Sequence, residues 1–261
     1  MRKAKIFVIT ICAVFTIPAL AAEVTAANDS PVAYNLGFAS DYVFRGITQT
    51  THAPALQGGV DYAHGSGLYV GTWASNVKRI KDSGAIASGD ANVEVDTYFG
   101  IRNAVADDLG YDFGYVRYNY VGSYTPQANF NNADTAEVYG AATYKLVTLK
   151  YSYSLLDGFF TTPGSRGANY IDLTANYPIA EAGMTLGAHI GKQTIVGTAA
   201  DTYSLAGNPP NYTDFKLSAS KDFSSYVLSL SYTNTNASSF WAPSGDQWGK
   251  AATALSLTHS F

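Results

Sequence analysis

Val147-Thr-Leu-Lys-Tyr-Ser-Tyr-Ser-Leu155 changes character at every step: Val147, Leu149, Tyr151, Tyr153 and Leu155 alternate with Thr148, Lys150, Ser152 and Ser154. Side chains of an extended chain point alternately to its two faces, so this stretch reads as a β-strand with one apolar and one polar face. The period recurs downstream. Ile171, Leu173, Ala175 and Tyr177 alternate with Tyr170, Asp172, Thr174 and Asn176. Met184, Leu186, Ala188 and Ile190 alternate with Thr185, Gly187, His189 and Gly191. Phe215, Leu217 and Ala219 are interleaved with Asp214, Lys216, Ser218 and Ser220, and Tyr226, Leu228, Leu230 and Tyr232 with Val227, Ser229, Ser231 and Thr233. Upstream the pattern is noisier. Tyr34, Leu36, Phe38, Tyr42 and Phe44 fall on one side, with Asn35, Asp41 and Arg45 on the other. Leu56, Gly58, Val60 and Tyr62 form a second run, and residues 68–77 a third whose facing the pattern does not decide. Val93, Val95, Phe99 and Ile101 oppose Glu94, Asp96, Tyr98 and Arg102. Residues 111–121, 135–144 and 251–261 complete a set of twelve expected strands.

Segments of about ten residues match the length that a tilted strand needs to cross a bilayer. The connections between them alternate. Long ones fall at 47–54, 78–90, 122–134, 156–167, 193–210 and 235–250, short ones at 64–67, 103–109, 145–146, 178–183 and 222–225. An even strand number with short turns at one end and long loops at the other is the pattern of outer-membrane barrels. A soluble sandwich has no reason to alternate its loop lengths. In lipid every backbone N–H and C=O needs a partner, so a β structure survives there only when closed. The expected fold is therefore all-β: a closed antiparallel transmembrane barrel of twelve strands over residues 33–261, apolar outside and polar towards the lumen. The longest uncharged run, 223–245, is broken by Ser, Thr or Asn too often for a membrane helix and reads as strand and loop.

The first residues place the chain outside the cytoplasm. A basic start (Arg2, Lys3, Lys5), an uncharged apolar run to Leu20 and small residues at 19–22 have the order of a signal peptide, expected to be cleaved after residue 22. Residues 23–32 then read as a short periplasmic lead-in. The only cysteine, Cys12, lies inside the apolar run, so the mature chain is expected to hold together without disulfides. Loss of the three basic residues takes the net charge from −4 to −7, which argues against nucleic acid. The 20 Tyr and 24 Gly suit strands, turns and aromatic girdles. Trp73, Trp241 and Trp248 are expected at the membrane interfaces.

Ser40-Asp-Tyr-Val-Phe-Arg-Gly-Ile-Thr-Gln-Thr50, Pro54-Ala-Leu-Gln-Gly-Gly-Val-Asp-Tyr62 and Gly67-Leu-Tyr-Val-Gly-Thr-Trp-Ala-Ser-Asn76 resemble the TorF-type porin family. Glu94-Val-Asp-Thr-Tyr-Phe-Gly100 and Gly114-Tyr-Val-Arg-Tyr-Asn-Tyr120 fit the same family. The resemblance spans the mature chain and is strongest over residues 40–120. It implies an outer-membrane barrel with a transport role in a Gram-negative bacterium, and supplies no catalytic residue. The last strand, with Leu255, Leu257 and Phe261 on one side, resembles the signal read by the barrel-assembly machinery, although His259 stands where that signal usually has an aromatic. Membrane lipid, that machinery and periplasmic chaperones are thus the expected partners, besides small hydrophilic solutes.

The polar faces place Asp41, Arg45, Glu94, Asp96, Arg102, Arg117, Lys150, Asp172, Asp214 and Lys216 as candidate pore-lining residues. Rings of charged side chains select solutes in pores; the same groups can instead pair across a barrel and hold it shut. Twelve strands fall between barrels filled by side chains and those with a wide channel, so a narrow open pore is expected, with a plugged and a ligand-holding lumen as the alternatives. Arg45 can attract anions or pair with Asp41, and pairing is favoured. Glu94 and Asp96 repel unless a cation, Arg102 or Arg117 lies near. No nucleophile elbow and no metal-ligand spacing accompany the four His, so no catalytic residue, metal or cofactor is expected. The favoured function is passive diffusion of small hydrophilic solutes or ions. A rim hydrolase acting on lipid or peptide, and a receptor or adhesin acting through the loops, are the alternatives.

Overall fold

A computed structural model describes residues 30–242 and 245–261. The expected signal peptide and most of the lead-in lie outside the described residues. Twelve strands close into one antiparallel barrel. Numbered in chain order they are β1 Val32–Ala39, β2 Ala55–Ala63, β3 Leu68–Asn76, β4 Val93–Ala106, β5 Leu109–Val121 and β6 Thr135–Tyr144. β7 Val147–Ser154, β8 Asn169–Ile179, β9 Met184–Thr194, β10 Tyr212–Asp222, β11 Tyr226–Thr235 and β12 Ala252–Ser260 follow. Each strand pairs with its chain neighbours, and β1 closes the ring on β12 with Phe38 opposite Leu257. No strand edge of the barrel remains open, which is the condition for a sheet in lipid.

Alternation sets which face is which. Phe38 (51 % exposed), Phe99 (58 %) and Leu217 (55 %) stand on the outer surface, while Tyr69, Tyr98, Tyr118, Tyr139 and Tyr170 are buried inside. In β3 the even positions Leu68 and Val70 point out and Tyr69 and Trp73 point in, which decides the facing the sequence left open. Glycine makes room for the inner tyrosines. A Cβ on Gly71 would meet the Tyr98 ring at 2.5 Å, one on Gly114 would meet the Tyr139 hydroxyl at 2.5 Å, and those on Gly100 and Gly191 would strike Tyr69 and Tyr170. Tyr and Gly are therefore enriched together, each ring lying over a bare stretch of the neighbouring strand.

The long loops gather at one end, as the alternation of lengths requires, and several of them turn inward. The first strand stops at Ala39, shorter than the sequence pattern suggests. Residues 40–54 fold into the barrel around a small hairpin, Val43–Phe44 paired with Ile47–Thr48. Tyr42 and Phe44 continue the outward parity of β1 on paper and are buried inside in the fold, because the chain leaves the sheet before reaching them. Two further insertions support this plug. One is the short helix α1 Arg79–Asp82, with Arg79 and Ile80 buried; the other is the hairpin of Gly158–Phe159 with Thr162–Pro163. Phe44 packs on Tyr118 and Phe160 at centroid distances of 6.0 and 5.9 Å. The three tryptophans expected at the membrane interfaces are inside as well: Trp73 is 6 %, Trp241 7 % and Trp248 4 % exposed. Trp73 packs edge-on against Tyr42 at 5.4 Å, and Trp241 against Tyr212 at 5.3 Å while its Nε1 donates to the Pro210 carbonyl. The loop insertions offered them an apolar interior, which the sequence pattern could not reveal.

Candidate functional site: a plugged lumen with a lateral crevice

The plug is organised by its own first turn. Asp41 accepts from Thr48 Oγ1 at 2.5 Å and Thr50 Oγ1 at 3.1 Å, and pairs with His52 Nδ1 at 2.8 Å. Those contacts close residues 41–52 into a compact loop and leave Asp41 away from Arg45, so the expected Asp41–Arg45 pair does not form. Arg45 instead crosses the lumen. Its two terminal nitrogens reach Glu137 of β6 at 3.0 and 2.7 Å, and one of them also reaches Gln193 of β9 at 3.0 Å. Its guanidinium lies 4.3 Å from the Tyr170 ring centroid. Burial works against the Arg45 charge and Glu137 more than reverses this, so the guanidinium holds its proton more tightly than in water. At the hairpin tip Arg45 and Gly46 have positive φ of 47° and 75°. A Cβ on Gly46 would lie 2.6 Å from Asp214 Cβ and closer still to Thr235, so glycine lets the tip seat against β10 and β11.

Further contacts tie the plug to the wall. The Tyr42 hydroxyl donates to Glu94 Oε1 at 3.0 Å, and burial beside Glu94 and Asp96 raises that phenol well above its ordinary range. Arg79 Nε donates to Gln49 Oε1 at 2.8 Å, while the amides of Lys78 and Arg79 both donate to the Gln49 carbonyl. Glu94 thus meets the plug rather than Arg102 or Arg117. Its Oε2 and both oxygens of Asp96 are buried without a partner.

From the plug towards the short turns, tyrosines and charges line the inner wall from β2 to β10. Tyr98 donates to Asp61 at 2.6 Å, Tyr69 to Asp112 at 2.7 Å, and Tyr170 to Asp214 at 2.8 Å. Arg102 sits opposite Asp112 in register and over Tyr69; Lys150 sits opposite Asp172 and over Tyr139 at 3.9 Å. His189 meets the Tyr170 hydroxyl at 2.9 Å and stands in register with Lys216. The structure thus brings Asp41, Arg45, Glu94, Asp96, Arg102, Lys150, Asp172, Asp214 and Lys216 inside the barrel. Arg117 is outside. It has the outward parity of Phe113 and Val121, and reaches Asn119 at 2.8 Å and Asp134 at 3.4 Å near the long-loop end.

Sequence reasoning placed Tyr98 and Tyr170 on the polar faces but missed Glu137, Gln193, Asp61, Asp112 and the inner tyrosines Tyr69, Tyr118 and Tyr139. Glu137 and Asp61 carried a usable signal, since each is flanked in its strand by outward-facing Val138 and Val60. Tyr69, Tyr118 and Tyr139 carried none, because Tyr serves equally well on the lipid and the lumen face.

Opposite this wall a narrow crevice remains beside the plug. Asp41, Tyr42 and Val43 line it from the loop, and Gln57, Lys216, Ser229, Ser231, Thr233 and Ser256 from β2 and β10–β12. Leu255, Leu257 and Phe261 face outward at the closing strand, and the Phe261 amide donates to the Tyr34 carbonyl at 3.0 Å.

A closed twelve-stranded barrel with an apolar belt, a polar inner face and inward-folded loops has the architecture of the porin-like barrels. Solved structures of that kind superimpose over nearly their whole length. The NanC porin does so with a TM-score of 0.53 at 10 % identity, covering 88 % of this chain and 98 % of that one. The KdgM porin gives 0.52 at 8 % identity over the same shares, and has also been solved in complex with disordered oligogalacturonate. The COG4313 outer membrane channel from Pseudomonas putida F1 gives 0.52 at 14 %, covering 90 % and 96 %. At such identities the likeness is one of fold. By sequence, residues 23–261 match the model of Gcw_chp, described as a bacterial protein of unknown function, and the chain belongs to that family. Among curated proteins no relative matches.

Proposed function

We propose that the protein is an outer-membrane, porin-like channel for passive diffusion of small hydrophilic solutes or ions. The observation that carries this reading is a closed barrel with a lipid-compatible outside and a polar inner face that keeps a crevice beside its plug. The TorF-type resemblance of residues 40–120 and the porin-like fold support the same reading. The order of residues 1–22 supports export through a cleaved signal, with residues 23–32 as the lead-in and 33–261 as the barrel. By analogy with single-chain barrels, the short-turn end faces the periplasm and the plug lies at the outer end. Leu255, Leu257 and Phe261 would then serve recognition by the assembly machinery.

Purified protein in a planar bilayer tests the reading. Small, discrete conductance steps are expected, and larger ones when residues 42–52 are replaced by a short Gly/Ser turn. Silence of both proteins, with lipid or peptide hydrolysis, would replace the channel with a barrel enzyme. Silence with tight binding of an external partner would replace it with a receptor.

A further inference from the structure

The crevice says where a channel of this kind conducts, and the inference here rests on the channel reading. The inner wall is two-sided. From β3 to β9 it carries tyrosines whose hydroxyls bond carboxylates, and there Tyr42 and Arg45 of the plug meet the wall, while the plug's tip at Gly46 seats against Asp214 of β10 and Thr235 of β11. From β10 through β12 to β1 the inward positions near the plug are small, with Ser229, Ser231 and Thr233 on β11 and Ser256 on β12. Asp41, Tyr42 and Val43 of the plug face these side chains across a hydroxyl-lined crevice. Two buried polar atoms, Gln57 Oε1 at the crevice's β2 edge and Ser220 Oγ further along β10, have no partner. Buried polar atoms are ordinarily satisfied by protein or ordered water, so an aqueous path would supply what these lack. Two opposite charges border the gap, Asp41 from the plug and Lys216 from β10.

We infer that ions and solutes cross along this serine and threonine wall rather than down the barrel axis, and that Asp41 and Lys216 make the path select small hydroxylated solutes without net charge. Opposite charges on the two sides of a narrow path set up a field across it. An ion of either sign is held by one side and repelled by the other. An uncharged, dipolar solute can turn in that field and exchange its hydration for the wall's hydroxyls. Glu94 and Asp96 stand away from this path, behind Tyr42.

Single cysteines test the route, introduced into the processed chain, from which Cys12, the sequence's only cysteine, is lost with the proposed signal peptide. In reconstituted protein, Ser231→Cys and Ser256→Cys should react with a membrane-impermeant thiosulfonate several times faster than Ser152→Cys on the filled wall, as read by mass spectrometry. Modification at 231 should also lower the single-channel current. In a potassium chloride gradient the unmodified channel should reverse close to zero. Lys216→Met should move the reversal towards cation preference, and Asp96→Asn should leave it in place. Current together with slow labelling at 231 and 256, or a reversal potential that Lys216→Met does not move, would overturn this route and leave the channel standing. Fast labelling at both positions without any current would instead remove the channel reading itself.

Discussion

At the scale of single residues, Arg45 ties the plug to the opposite wall. Its fork on Glu137 is buried at both ends, with side chains 3 % and 1 % exposed. Breaking such a pair by removing one partner typically costs about 3–5 kcal/mol, because the other charge is left buried and alone, whereas replacing both by apolar groups of similar volume can be neutral. Glu137→Ala should therefore lower the unfolding free energy of the reconstituted protein by about that amount in a urea titration. Arg45→Met combined with Glu137→Met should recover most of it. Equal losses in the single and the double variant would show that the pair is not what holds the plug. Arg45 itself was legible in the sequence as a charge beside a glycine at a strand end. Its partner was not. Asp41 lay four residues away and looked sufficient, but Thr48, Thr50 and His52 satisfy that carboxylate within the loop. A contact between residues 92 positions apart depends on the barrel closing first.

At the scale of elements, the two faces of a strand live in different solvents. Leu217, in the middle of β10, points outward, and Ser218 beside it points inward. A cation on the lipid face near the bilayer midplane costs about 2–4 kcal/mol in barrels of this kind. Leu217→Arg should reduce folding stability in liposomes by that order, and Ser218→Arg by clearly less. Equal penalties would mean that the two faces meet the same medium. The strands of the second half were read almost to their ends, because their polar faces carry Ser, Thr and Lys and the alternation is clean. On β3, β4 and β5 aromatic residues occupy both faces, so the facing of β3 stayed undecided and Arg117 was placed on the wrong side. Loop lengths were legible from spacing alone. That residues 40–54 turn inward was not, since nothing in a hydropathy pattern distinguishes a loop in water from one packed into a lumen. The three tryptophans went astray for the same reason.

At the scale of the whole molecule, the fold is a tube whose outside suits lipid and whose inside is polar and partly filled by its own loops. Closure, strand number and the asymmetry of the two ends were all readable from period and spacing, whereas the plug and the crevice emerge only when twelve strands are placed side by side. The most direct test of the tube is a scan of spin labels along residues 213–221 of the reconstituted, cysteine-substituted protein. Accessibility to oxygen, which concentrates in lipid, should peak at positions 215, 217 and 219. Accessibility to a water-soluble nickel chelate should peak at 216, 218 and 220. Two such series in antiphase, with a period of two, are what a membrane-spanning barrel strand requires. High chelate accessibility at every position, in protein that stays soluble and monomeric without detergent or lipid, would contradict the account at its root.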